Sequence, residues 1–179
     1  MIENASEYKW LNDYNKEKGV FSVAYSYVDD ETEKMFDEYL EKYKDWIHDI
    51  YFTAPPVGPF KEDALGAQNY YNDSRTIERV LHFQEKYKIP VSATYNNTSI
   101  MMTYKTMMEF IEEFRPYYEM GIRNMTLSSV TWMLSKRIKQ EFPDLYIKNT
   151  VLHRVRDGQM FWQHAEAGFD YINIDRVLM

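Results

Sequence analysis

Hydrophobic and polar positions along this chain follow two alternating periods. "VFSVAYSY" (20–27) is rich in β-branched and aromatic residues and reads as a strand. "DDETEKMFDEYLEKYK" (29–44) follows, with Asp29 or Asp30 as N-cap, acids in the first turn, and Met35, Phe36, Tyr39, Leu40 and Tyr43 on one helical face. "WIHDIYFTA" (46–54) is a second strand, and a long Pro/Gly-containing segment leads from it to a helix near 73–88 aligned on Ile77, Val80, Leu81 and Gln84. "IPVSATYNN" (89–97) is the third strand, and Pro90 fits only near its start. A helix over 103–119 carries Met107, Phe110, Ile111 and Phe114 and is expected to kink or end at Pro116. "IRNMTLSS" (122–129), a helix at 130–141, "LYIKNTVLH" (145–153), a helix near 156–167 stopped by Gly168, and "YINID" (171–175) continue the alternation. A polar, moderately amphipathic helix at 5–18, ended by Gly19, precedes the first strand, so residues 1–19 read as an extension and 20–179 as the domain.

Strands alternating with helices over short connections predict right-handed βαβ crossovers and a parallel sheet. The expected fold is α/β: an incomplete (β/α) barrel-like wall of about six parallel strands in sequence order, with a doubly wound open sheet as the alternative. A complete (β/α)₈ barrel usually needs about 250 residues. No G-x-G-x-x-G follows a strand, which weakens the dinucleotide-binding version of the open sheet.

Composition narrows the function classes. The 179 residues suffice for one domain with a core, and hydrophobic residues make up 45% of them, so disorder is not expected. A net charge of −7, from 21 basic and 28 acidic residues, speaks against a nucleic-acid partner. The absence of cysteine removes disulfides, thiolate metal sites, iron–sulfur ligation and a cysteine nucleophile from this sequence. No apolar run approaches the roughly 20 residues of a membrane span, and "MIENASEYKW" lacks the features of a signal peptide, so a cytoplasmic protein is expected.

Parallel folds place ligands at strand C-termini. Those ends supply Tyr25, Tyr27, Thr53, Tyr95, Asn96, Ser128, Arg154 and Arg176, a set suited to holding a small polar or peptide-like ligand. The alternative is that Asn and Ser end strands simply as turn formers. His153 is the candidate general base, with Asp175 on the neighbouring strand to orient it; the competing reading pairs the nearby Arg154 and Arg156 with Asp175 or Asp157. His48, His82 and His164 show no metal-ligand spacing and read as structural, and no metal or cofactor is assigned. Met101, Met102, Met107 and Met108 are expected to fill core gaps. Within 54–74, Phe60, Tyr70 and Tyr71 could close over a pocket as a lid or form a proline-pinned surface loop.

"FSVAYSYVDDETEKMFDEYLEKYKDWIHDIYF", "GIRNMTLSS", "EFPDLYIKNTVL" and "AGFDYINIDR" together resemble the barrel region of the collagenase-like peptidase family, which includes barrels that assist ubiquinone hydroxylation. The resemblance covers most of residues 20–176 as a pattern of strand ends. It implies a (β/α) barrel, a ligand site at the strand ends, possible hydrolase activity, and further βα units after the sixth strand. The cysteines of the family's peptidase signature and of its cluster-binding members do not occur in this chain. A non-catalytic binding or assembly module, completed by another chain, is the competing reading. Exposed first and last strands lead to the expectation of a homodimer.

Overall fold

The structure is a computed structural model that describes residues 21–61 and 75–175. The predicted helix at 5–18, Tyr70, Tyr71 and Arg176 lie outside the described residues. Among the described residues, five parallel strands form one sheet: β1 (Phe21–Tyr25), β2 (Ile47–Thr53), β3 (Val91–Tyr95), β4 (Asn124–Leu127) and β5 (Tyr146–Asn149), in the order β1-β2-β3-β4-β5. Six described helices alternate with them: α1 (Asp30–Tyr43), α2 (Arg75–Tyr87), α3 (Tyr104–Met120), α4 (Val130–Leu134), α5 (Arg137–Glu141) and α6 (Gly158–Ala167).

Every crossover moves one position in the same direction. Right-handed crossovers of constant direction place all the helices on one face of the sheet. A doubly wound sheet would instead need a reversal with β1 inside, and among the described strands β1 is an edge.

The sixth strand is only half made. Tyr171 bridges Lys148 and Ile174 bridges Val155, both parallel, without a continuous ladder between them. Asn149 explains the gap. Its amide Nδ2 donates to Asn173 O (3.2 Å), its Oδ1 accepts from Asn173 N (2.5 Å), and Asn173 Nδ2 donates to Asn149 O (2.5 Å). Side chains thus satisfy backbone groups that a strand would have paired, and residues 171–175 follow β5 without regular pairing.

Local chemistry sets most element ends where the pattern put them. Asp29 caps α1 by accepting from Thr32 N (2.8 Å), and Thr103 and Thr106 form a reciprocal capping box at α3. Gly121 closes α3 in the left-handed region, with φ of 118°. Helix α3 does not end at Pro116 but runs through it to Met120, with Phe114 and Tyr118 buried on either side. The expected helix 130–141 is two short helices, broken at Lys136, whose φ is +59°.

The core lies between sheet and helices. Ile50, Phe52, Val91, Ala93, Tyr95, Met125, Leu127 and Ile147 project from the sheet toward the helices and are buried. Tyr95 stands among Phe60, Phe110 and Phe114, and Trp132 extends the cluster through Phe60 and Phe110. Phe60 is fully buried there, so this part of the 54–74 segment is anchored rather than a free lid. Met107 fills the core as expected, whereas Met101 is 76% exposed and does not.

Candidate functional site

Side chains alternate across a strand, so the residues between these core positions point to the opposite, concave face. That face is polar. Ser22, Asp49, Ser92, Thr94, Asn124, Thr126, Tyr146 and Lys148 occupy it, in registers Ser22↔Asp49, Ser92↔Asn124↔Tyr146 and Thr94↔Thr126↔Lys148. Buried parallel strands normally read apolar on both faces.

An irregularity in β2 adds a residue to it. Phe21 pairs with Ile47 and Ser22 with Asp49, so His48 is the extra residue of a bulge. A bulge sets two successive side chains on one side of a strand. Ile47 and Ile50 both enter the core, and His48 and Asp49 share the concave face. The His48 ring meets the Tyr171 ring with centroids 5.6 Å apart.

The centre of the face is an ion pair. Lys148 Nζ donates to Asp49 Oδ2, with side chains 7% and 0% exposed, and Ser22 Oγ donates to Asp49 Oδ1 (2.5 Å). β2 and β5 are three strand positions apart, about 14 Å in a flat sheet. Side chains perpendicular to a flat sheet would not meet at that separation. The sheet is therefore curled like a barrel wall around the pair. Strand tilt agrees: Lys148 lies in ladder register with Thr53, yet its ammonium meets Asp49, four residues earlier. Barrel shear produces an offset of this kind, about one residue per strand.

Around the pair are groups with unspent hydrogen-bonding capacity. Among the described residues, Ser92 Oγ and Thr94 Oγ1 are buried and meet no hydrogen-bond partner. Burial, reinforced by Asp170, Tyr171 and Asp49 nearby, pushes the Tyr146 phenol up to about 12, so it is a proton donor at neutral pH. Tyr51 and Tyr171 remain 40% and 41% exposed at the borders of the face. A charge pair, a protonated phenol and unpartnered hydroxyls together suit a small polar organic ligand and proton transfer to or from it. Among the described residues, no group of three or more His, Asp or Glu side chains is arranged to hold a metal ion.

The described residues expected from the strand ends have differing surroundings. Tyr25 and Tyr95 turn into the core: Tyr25 packs on Phe36 and Phe83, and Tyr95 OH donates to Pro55 O (3.3 Å). Tyr27 OH donates to Asp30 (2.8 Å) under the Arg79 guanidinium. Ser128 Oγ donates to Asn97 O (2.6 Å) as a turn former. Thr53 is half-buried on the concave side in register with Thr94, Asn96 is half-buried after β3, and Arg154 is an exposed turn residue with φ of +49°. Ser128 N donates to Tyr95 O (3.0 Å), which joins two of them across β3 and the end of β4.

His153 and Asp175 do not pair. His153 Nε2 lies 2.7 Å from Ser128 O, and its Nδ1 lies 3.0 Å from His164 Nε2. Asp175 Oδ2 accepts from Arg156 (2.8 Å), the competing arrangement that the charges suggested. His164 in turn contacts Met160 O (2.8 Å) on its own helix. The two imidazoles pin the turn after β5 to α6 and to the end of β4.

Position at a strand end does not select Asp49, Lys148 or Tyr146, because they lie within the wall. Charges inside the runs "WIHDIYFTA" and "LYIKNTVLH" were the available signal. No family model matches the chain, and no curated protein matches it.

Two predictions arise here. Lys148→Met should lower unfolding free energy by about 3–5 kcal/mol by stranding the Asp49 carboxylate. Lys148→Met with Asp49→Leu should recover most of that loss, and urea titrations of the two variants check it. The second concerns acid. Burial holds the His153 imidazole below its ordinary value, against the opposing hydrogen bond to Ser128 O. Its depressed folded value means the unfolded chain binds more protons below about 6.5, so stability is full above that pH and is lost as pH falls through the folded value. Urea midpoints across this window should fall for the natural chain, with a smaller slope for His153→Gln.

Proposed function

We propose that this chain binds a small polar organic ligand on the concave face of its curved sheet and acts on it by proton transfer at Asp49, Lys148 and Tyr146. The observation that carries this reading is the pair of buried, unpartnered hydroxyls, Ser92 Oγ and Thr94 Oγ1, beside the cross-face ion pair. An unmet buried hydroxyl costs about 1–3 kcal/mol, and a ligand hydroxyl or carbonyl offsets that cost on binding. The proposed relation to the collagenase-like peptidases rests on the strand-end pattern and supports a barrel-type site; cleavage of peptides is not part of the reading, since the family cysteines do not occur here.

A second reading is favoured by the sheet edge. β1 pairs with β2 alone among the described strands, and Phe21 on it is 57% exposed. An open edge of this kind pairs with another chain, here a second copy.

Amide spectra recorded during titration with small polyols, hydroxy acids and amino acids test the first reading. Shifts concentrated at Ser92, Thr94, Thr126 and Lys148 are expected, and a panel that moves only the turns after the strands would sink it. For the second, light scattering at micromolar concentration should give a dimer that Phe21→Asp dissociates; a monomeric natural chain is the contrary result.

A further inference from the structure

Lys148 is a primary amine held inside a curved sheet, with a carboxylate in direct contact to take its proton. Resting on the ligand site proposed above, we infer that Lys148 forms an imine with a small hydroxylated aldehyde or ketone, with Asp49 as its proton acceptor. Three features select this ligand class. The ion pair is neutral as a whole, so the ligand needs no net charge to enter. Ser92 Oγ and Thr94 Oγ1 lack partners and would meet ligand hydroxyls. Tyr146, projecting from the same side of β5 two residues before Lys148, keeps its phenolic proton and can donate to a carbonyl oxygen.

The chemistry balances without a further reagent. The ammonium of Lys148 passes a proton to the Asp49 carboxylate. The freed amine then adds to the carbonyl carbon; the Tyr146 phenol gives its proton to the carbonyl oxygen and recovers one from the adding nitrogen, leaving the hydroxyl of a neutral carbinolamine and an intact phenol. The nitrogen lone pair next expels that hydroxyl, which leaves as water with a proton returned from the Asp49 carboxyl. Ammonium and carbonyl have become a protonated imine and one water, with Asp49 again a carboxylate. A buried amine beside a base is an established route to a covalent nucleophile.

Reductive trapping on the full chain tests the inference. The native protein is incubated with glycolaldehyde and borohydride, digested, and its modified lysines mapped by mass spectrometry. Lys148 should carry the dominant adduct although its side chain is 7% exposed, far below that of Lys34 (78%) or Lys105 (86%). Denaturation before trapping should erase the preference. Asp49→Asn should cut trapping at Lys148 at least tenfold while circular dichroism remains native; should that variant fail to fold, the lysine map of the natural chain decides alone. Adducts that follow exposure and spare Lys148 overturn the imine. If glycolaldehyde then still shifts the amides of Ser92 and Thr94, the ligand site stands without the covalent step; if it shifts neither, both fall.

Discussion

The architecture depends on one contact, the ion pair between Asp49 on β2 and Lys148 on β5. Either charge alone in a sheet interior would cost several kcal/mol in lost hydration, so each is tolerable only with the other in contact. They belong to strands that do not touch, and the contact therefore requires curvature. The bulge at His48 belongs to the same constraint: it puts Asp49 on the concave side while Ile47 and Ile50 both stay in the core. Ser22 supplies a further donor to the carboxylate from β1, so three strands converge on one carboxyl group. A pair of this kind adds little net stability over a well-packed apolar one, yet it discriminates strongly against any register in which the charges miss each other.

The two faces of the sheet divide the work. On the helix side, nested aromatics from Tyr25 to Phe142 supply the apolar burial that holds the chain folded. On the concave side, small and polar residues leave partners unmet. The Asn149–Asn173 side-chain exchange belongs to this division. It lets the chain after α6 follow β5 closely enough to bring Tyr171 over His48, while sparing it the geometry of a full ladder. A regular sixth strand would fix the concave border by backbone pairing; here that border is set by amide side chains.

The order of the sheet was legible from the chain because period-two runs alternated with period-3.6 runs, and because nothing marked a reversal. The helix cap at Asp29 was legible for the same reason: it is local. The site was not. Strand-end reasoning selects residues by position along a strand, whereas facing is decided by parity, and Tyr25 and Tyr95 have the parity of the core. Asp49 escaped a parity argument too, since the bulge at His48 shifts the count by one and appears only in the pairing with β1. The break at Lys136 depends on a left-handed backbone at a residue whose type does not announce it.

His153 shows how a correct local observation can lead to a wrong partner. It does end the turn after β5, and Asp175 does lie on the neighbouring stretch of chain. Two stronger claims intervene. The carbonyl of Ser128 sits 2.7 Å from its Nε2, and His164, projecting from α6, meets its Nδ1. Arg156, one residue past Val155 on the stretch that bridges Ile174, reaches Asp175 first. With both ring nitrogens engaged and the ring partly withdrawn from water, His153 is built to hold a turn in place. The Tyr146 phenol and the Asp49–Lys148 pair lie instead on the concave face. There, groups from strands distant in sequence are brought together by curvature, and among the described residues the Ser92 and Thr94 hydroxyls meet no hydrogen-bond partner.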